Sequence, residues 1–303
     1  MLLYFIYKYA FGADPKRLAD DMEIPHDKKY KDSVDRVYKN IQTIKESVAE
    51  TWTITARDGV KLVGKYYHHA DGVPVVIMFH GYRSSAVRDG MGAFQACKEG
   101  NYNILMVDQR AHRESGGKCI TFGVKERYDC VDWIHEVCRK CGKDVKIILI
   151  GLSMGASTVM MATGLDLPVN VKGVIADCGY STPKDILQTV IKMMKLPVRL
   201  AYPFVKLSAK LYGKFDLEGA SATEALAKCK VPILFIHGEA DELVPCEMSR
   251  SNYEACASEK ELFTVKGAGH GMSYLMNADV YMDKFKGFLE KHFEEKNRRQ
   301  GNV

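Results

Sequence analysis

From residue 73 onward the chain alternates between short, nearly unbroken apolar runs and longer mixed stretches. The runs are Val73–Phe79, Asn103–Val107, Val145–Ile150, Val171–Ala176, Val231–Ile236 and Glu261–Val265. Apolar runs of that length read as strands covered on both faces, which is the habit of a mainly parallel sheet. Helical patterns fill the gaps at Met91–Lys98, Lys125–Cys141, Gly155–Leu165 and Glu247–Ala257. Upstream, Thr51–Ala56 and Val60–Tyr67 flank an Asp58-Gly59 turn and read as a hairpin. The expectation is an α/β protein with an eight-stranded, mostly parallel sheet and helices on both faces. No internal repeat and no low-complexity segment interrupts it.

Two stretches break the rhythm. Asp27–Val48 places Val34, Val37, Tyr38, Ile41 and Ile44 at nearly helical spacing and reads as a surface helix ahead of the core. Between Ile175 and Val231 there is no strand. Pro183–Leu211 instead predicts two apolar helices, split at Pro197 or Pro203. An insertion there is expected to sit above the strand ends as a helical cap. Its Met193, Met194 and Tyr202 are candidates for a substrate pocket, since methionine adapts to irregular shapes, and they serve equally to pack the cap onto the body. The division that follows is residues 1–50 as an apolar segment and helix, 51–180 and 228–293 as core, 181–227 as cap, and 294–303 as a polar tail.

Composition narrows the picture only a little. The 303 residues are 47% hydrophobic and 27% charged, an ordinary globular balance. The net charge of +5 comes without a block of like charge, which argues against a nucleic-acid partner. Nine cysteines, an odd number without framework spacing, fit reduced thiols and a cytoplasmic setting. Cys138 and Cys141 have C-x-x-C spacing, but no second ligand pair follows for zinc. Leu2–Tyr7 is strongly apolar yet far shorter than the roughly 20 residues a membrane span needs. It is expected to pack on the domain or to make weak contact with a membrane surface.

The chemistry centres on Gly151-Leu152-Ser153-Met154-Gly155, which ends an apolar run and opens a helix-forming stretch. Strand, sharp turn and helix with serine at the apex make a nucleophile elbow. A serine hydroxyl needs a base within hydrogen-bond reach, and the base needs a group that fixes its tautomer. In this arrangement acid and then histidine follow the serine in chain order. Asp241 lies in the loop after Val231–Ile236, and His270 lies in the loop after Glu261–Val265. Asp177, at the end of Val171–Ala176, is the alternative acid.

These motifs resemble the α/β-hydrolase fold superfamily, in its branch of serine esterases, lipases and aminopeptidase-like enzymes. The elbow, His237–Pro245 as the acid loop, Gly269-His270-Gly271 as the histidine loop and His80-Gly81-Tyr82 as the oxyanion loop carry the likeness over residues 51–293. The resemblance implies Ser153 as nucleophile, His270 as general base and Asp241 as orienting carboxylate. It implies the backbone N–H groups of Tyr82 and Met154 as an oxyanion hole, and bracing roles for His80 and His237. No metal or cofactor is implied. The substrate expected is a small-molecule ester with an apolar or aryl acyl group. Thioesters, amides and a non-catalytic binding role are the alternatives. One departure stands out: relatives often carry glycine where this chain has Arg113, so the loop after Asn103–Val107 is expected to take a different shape.

Overall fold

The strands are β1 (Glu50–Thr55), β2 (Lys61–Tyr67), β3 (Val75–Phe79), β4 (Asn103–Asp108), β5 (Ile147–Leu152), β6 (Val171–Asp177), β7 (Ile233–Gly238) and β8 (Lys260–Val265). They form one eight-stranded sheet in the order β1-β2-β4-β3-β5-β6-β7-β8, with β2 antiparallel to both its neighbours and every pairing from β4 to β8 parallel. The computed structural model describes residues 1–22 and 30–293, so the expected polar tail at 294–303 and the start of the helix expected from Asp27 lie outside the described residues.

The helices, in chain order, are α1 (Leu2–Ala10), α2 (Lys31–Glu46), α3 (Ala86–Asp89), α4 (Met91–Gly100), α5 (Glu126–Cys141) and α6 (Met154–Ala162). They continue with α7 (Pro183–Met193), α8 (Val198–Ser208), α9 (Ala222–Leu226), α10 (Cys246–Ala255), α11 (Ser273–Met276) and α12 (Ala278–Phe293). Side chains alternate between the two faces of the sheet, as a pleated strand requires. Ile77, Phe79, Leu149 and Phe235 face a core shared with α1, α5, α6 and the insertion after β6. Val76, Met78, Ile148 and Ile236 face a second core shared with α2, α4, α11 and α12.

Helix α2 is no detached surface helix. Its Val37, Ile41 and Ile44 are at most 1% exposed. Burying each contributes on the order of 1.5–3 kcal/mol. Polar contacts fix its seat on the far end of the chain: Ser33 Oγ donates to the Leu275 carbonyl at 2.6 Å and Asn40 Nδ2 to the Tyr274 hydroxyl at 2.9 Å.

Helix α1 lies along α8, with the Tyr4 and Tyr7 rings 5.5 and 5.9 Å from that of Tyr212. Just beyond it, Phe11 is fully buried and edge-on to Phe122 and Phe215. The insertion after β6 breaks at Pro197, between α7 and α8, while Pro203 is carried inside α8. A π-helical turn at Ala209–Gly213 ends it before α9. Ile186, Leu187 and Ile191 sew the insertion into the first core.

Candidate active site

Ser153 sits where β5 turns into α6, with φ 56° and ψ −114°. A serine held at positive φ is strained and persists only where the surroundings enforce it. The surroundings are two glycines. A Cβ on Gly151 would lie 2.2 Å from the Gly155 carbonyl, and one on Gly155 would lie 2.0 Å from the Phe79 oxygen. Any side chain at either position would push the helix off the strand ends. The Ser153 N–H donates to the Asp177 carbonyl at 2.8 Å, which pins the turn to β6.

His270, on the loop after β8, links this serine to Asp241 on the loop after β7. Its Nδ1 lies 2.7 Å from Asp241 Oδ2 and its Nε2 lies 2.9 Å from Ser153 Oγ. A carboxylate can only accept, so Nδ1 carries the proton and Nε2 is left as the acceptor for the serine hydroxyl. Asp241 is buried and heavily supported. Its Oδ1 accepts from the Leu243 and Val244 N–H groups at 3.0 and 2.8 Å. Burial works against its charge, but the hydrogen bonds from His237 and His270 and from Val244 outweigh burial and hold its carboxyl down to about 2. His237 Nε2 faces both Asp241 Oδ2 (3.2 Å) and the Val244 carbonyl (2.8 Å), so it is a donor that braces the acid loop.

Asp177, the alternative acid, does not bond His270. Its Oδ2 accepts from the Tyr281 hydroxyl at 3.0 Å, while its Oδ1 is buried without a partner among the described residues. Burial pushes its carboxyl up to about 6, with the Tyr281 bond pulling the other way. It lies on the wall of the cavity beside Ser153.

The loop after β3 comes close on the other side, with a Cβ on Gly81 reaching 3.4 Å from Ser153 Cβ. Three side chains shape this loop. Asp89 accepts from the Gly81 N–H at 2.6 Å, His80 Nδ1 donates to the Gly81 carbonyl at 2.8 Å, and His112 Nε2 accepts from the Arg83 N–H at 2.9 Å. Burial, reinforced by His112 nearby, lowers His80 well below the usual imidazole range; burial alone leads in pushing His112 down to about 4. Both are neutral braces. Among the described residues, no protein acceptor meets the backbone N–H of Tyr82 or of Met154, the first residue of α6. Tyr82 lines the cavity together with Ser153, and Met154 is the residue next to Ser153 in the chain.

Arg113 overturns one expectation. It adopts φ 43°, the left-handed region that glycine would favour. Contacts from the segment after α1 hold it there: the guanidinium donates to the Ala19 carbonyl and pairs with Asp21 at 3.2 Å. The loop keeps the glycine-like turn and its arginine straps residues 19–21 in place.

A cavity of ≈ 220 Å³ opens at Ser153 and His270 and runs over the second face of the sheet. Its apolar wall comes from Val37 and Ile41 of α2, Met91 of α4, Leu275 of α11 and Phe285 of α12. The proposed pocket residues of the insertion are elsewhere. Met193 and Met194 are about half exposed to solvent, and the Tyr202 hydroxyl bonds Glu218 at 2.9 Å. None of the three lines the cavity, because the insertion packs on the opposite face of the sheet. The wall of α2 escaped sequence reasoning; its apolar stripe announced a buried face but not which surface it covers. Asp89 and His112 left no sequence signal for their bracing.

Among the described residues, the Cys178 sulfur lies within 4.8 Å of ligand-type atoms of both Asp241 and His270. Burial raises its thiol well above the usual range, and both nitrogens of His270 are already engaged. In this geometry His270 Nε2 is the acceptor that the Ser153 hydroxyl meets. All nine cysteines are free thiols.

Comparison with known proteins agrees with this architecture. The profile of the alpha/beta hydrolase fold family matches residues 74–210, and that of the serine aminopeptidase S33 family matches residues 205–274. The chain is 27% identical over 229 residues to the uncharacterized protein YqkD of Bacillus subtilis, covering 75% of each. Among solved structures it is similar to the esterase Pf2001 of Pyrococcus furiosus, with a TM-score of 0.68 and 26% identity over 84% of this chain and 94% of that one. It shares its fold with Est1E of Butyrivibrio proteoclasticus, solved with ferulic acid bound, at a TM-score of 0.63 and 19% identity over 80% of this chain and 100% of that one.

Proposed function

Because the chain belongs to the α/β-hydrolase superfamily, we propose that it is a serine hydrolase that cleaves carboxylic esters through an acyl-enzyme intermediate. The observation that carries this reading is the line from Ser153 Oγ to His270 (2.9 Å) to Asp241 (2.7 Å) at the mouth of an apolar cavity.

In the first half-reaction Ser153 Oγ bonds to the ester carbonyl carbon as its proton passes to His270 Nε2. Asp241 stabilises the resulting imidazolium through Nδ1–H. The carbonyl electrons move onto oxygen, where the N–H groups of Tyr82 and Met154 stabilise the oxyanion by about 3 kcal/mol each. Collapse expels the alcohol, protonated by His270, and leaves the acyl group on Ser153. Water, deprotonated by the same His270, then releases the acid and restores the serine.

The cavity favours a short or medium apolar acyl group. At ≈ 220 Å³ it falls below the ~300–1,000 Å³ of sites for drug-sized ligands. The likeness to an archaeal esterase supports an ester as the bond cleaved. The test is labelling of the purified protein with a fluorophosphonate probe beside turnover of a p-nitrophenyl ester series. Labelling and turnover in the wild type, both lost in Ser153→Ala, are expected. A wild type that is neither labelled nor active on esters or thioesters would leave the fold as a binding scaffold.

A further inference from the structure

Helices α1 and α8 lie side by side, and each turns an apolar stripe to solvent. Leu2, Phe5 and Tyr9 recur at i, i+3 and i+7 on α1, and Leu200, Phe204, Leu207 and Leu211 at i, i+4, i+7 and i+11 along α8 and the π-helical turn. These seven side chains are between 42% and 67% exposed. The Tyr4–Tyr212 contact at 5.5 Å joins the two stripes, and exposed Met193, Met194 and Leu196 extend them at the α7–α8 corner. A continuous apolar face of this kind marks an interaction surface rather than scattered exposure.

Charge identifies the partner. Residues 1–13 and 186–214 together hold Lys8, Lys192, Lys195, Arg199, Lys206, Lys210 and Lys214 and no acidic residue, in a chain whose total excess is only five. Lys206 is engaged by Glu218; the other six are exposed around the apolar stripes. Long basic side chains can lay their stems along an apolar surface and lift their charges to a phosphate layer. Tyrosine and phenylalanine suit the headgroup boundary. A second copy of the chain fits poorly, because a two-fold contact through this face would set the same six cations against themselves. Among the described residues, no helix is long and apolar enough to cross a membrane. We propose that the α1–α8 face docks the protein peripherally on an anionic lipid bilayer. The surface is composite: the expected contact through residues 2–7 is one edge of it, and the insertion after β6 supplies the rest.

The test is flotation of the full chain with vesicles of phosphatidylcholine alone and with about one-third phosphatidylserine. Wild type is expected to float with the anionic vesicles at low salt and to lose at least about tenfold in partitioning at high salt or on neutral vesicles. The double variant Leu200→Glu with Phe204→Glu is expected to lose at least about tenfold on anionic vesicles. Its circular dichroism and ester turnover should match wild type, since neither residue touches the cavity. Failure of wild type to float with anionic vesicles overturns the proposal, as does equal flotation of a folded variant. A concentration-dependent dimer that the double variant abolishes, without vesicle binding by wild type, would assign the face to a second copy instead.

Discussion

The Tyr82 hydroxyl donates a 2.9 Å hydrogen bond to the carbonyl of Ala10, so the last residue of α1 is tied to the loop that faces Ser153. The next residue reinforces the tie: the Arg83 guanidinium donates to the Tyr9 and Gly12 carbonyls at 2.9 and 3.1 Å. Tyr82→Phe keeps the backbone N–H and cuts only the tether. A single buried hydrogen bond is worth about 0.5–1.5 kcal/mol, so kcat should fall roughly three- to tenfold with KM nearly unchanged. Steady-state kinetics on a p-nitrophenyl ester measure the split; a pure KM effect would place Tyr82 in substrate binding instead.

Asp241 and Asp177 are predicted to separate by kinetics. Asp241→Asn disturbs the His270 tautomer and should lower kcat by about 10⁴-fold. Asp177→Asn, which leaves that hydrogen bond in place, should stay within about tenfold. The reverse order in the same assay would exchange their roles.

The same pair should give opposite pH dependences of stability. Asp241, held at about 2, stabilises the fold above the unfolded carboxyl value of about 3.9, and that contribution is lost as pH falls from about 4 to 2. Asp177, raised to about 6, binds its proton more tightly folded than unfolded, so stability declines as pH rises from about 4 to 6 and stays lower above. Asp177→Asn should therefore be more stable than wild type at pH 8, by about 1–3 kcal/mol. Urea unfolding at pH 8 and at about pH 4 checks this; a gain of equal size at both values would mean that charge is not its cause.

Ile41→Ala removes a fully buried side chain that also walls the cavity. Stability should drop by about 2–5 kcal/mol. In the folded variant the ratio of kcat/KM for an octanoyl over an acetyl ester should rise by about tenfold. Met193→Ala, on the outer surface, should leave that ratio unchanged. A shifted ratio in Met193→Ala alone would return the pocket to the insertion.

The sheet was legible in the sequence because its inner strands, β3 to β7, are buried on both faces and read as apolar runs with little ambiguity. Ser153, Asp241 and His270 were legible because each sits in a short loop directly after a strand, where local motif and chain order agree. What escaped depends on partners distant in sequence. The stripe of Val37, Ile41 and Ile44 declares that α2 is buried, but periodicity carries no address, and its seat combines α3 and α4 with residues beyond 270. The Met-rich insertion had the composition of a pocket, and only its placement on the other face of the sheet removed Met193, Met194 and Tyr202 from the site. Arg113 has no local reason for a positive φ; the Ala19 carbonyl and Asp21 supply one from nearly a hundred residues away.

The seating of α2 on α11 also sets an order of assembly during translation. Ser33 and Asn40 are bonded to Leu275 and Tyr274, more than 230 residues later in the chain. At about 5–20 residues per second, a ribosome releases α2 roughly 10–50 s before its seat emerges. Through that interval Val37, Ile41 and Ile44 can pack on α3 and α4, which follow α2 in the chain, but the α11 part of the native seat is still missing. The cavity wall is thus begun early in synthesis and closed only when α11 and α12, the last of the described helices, arrive.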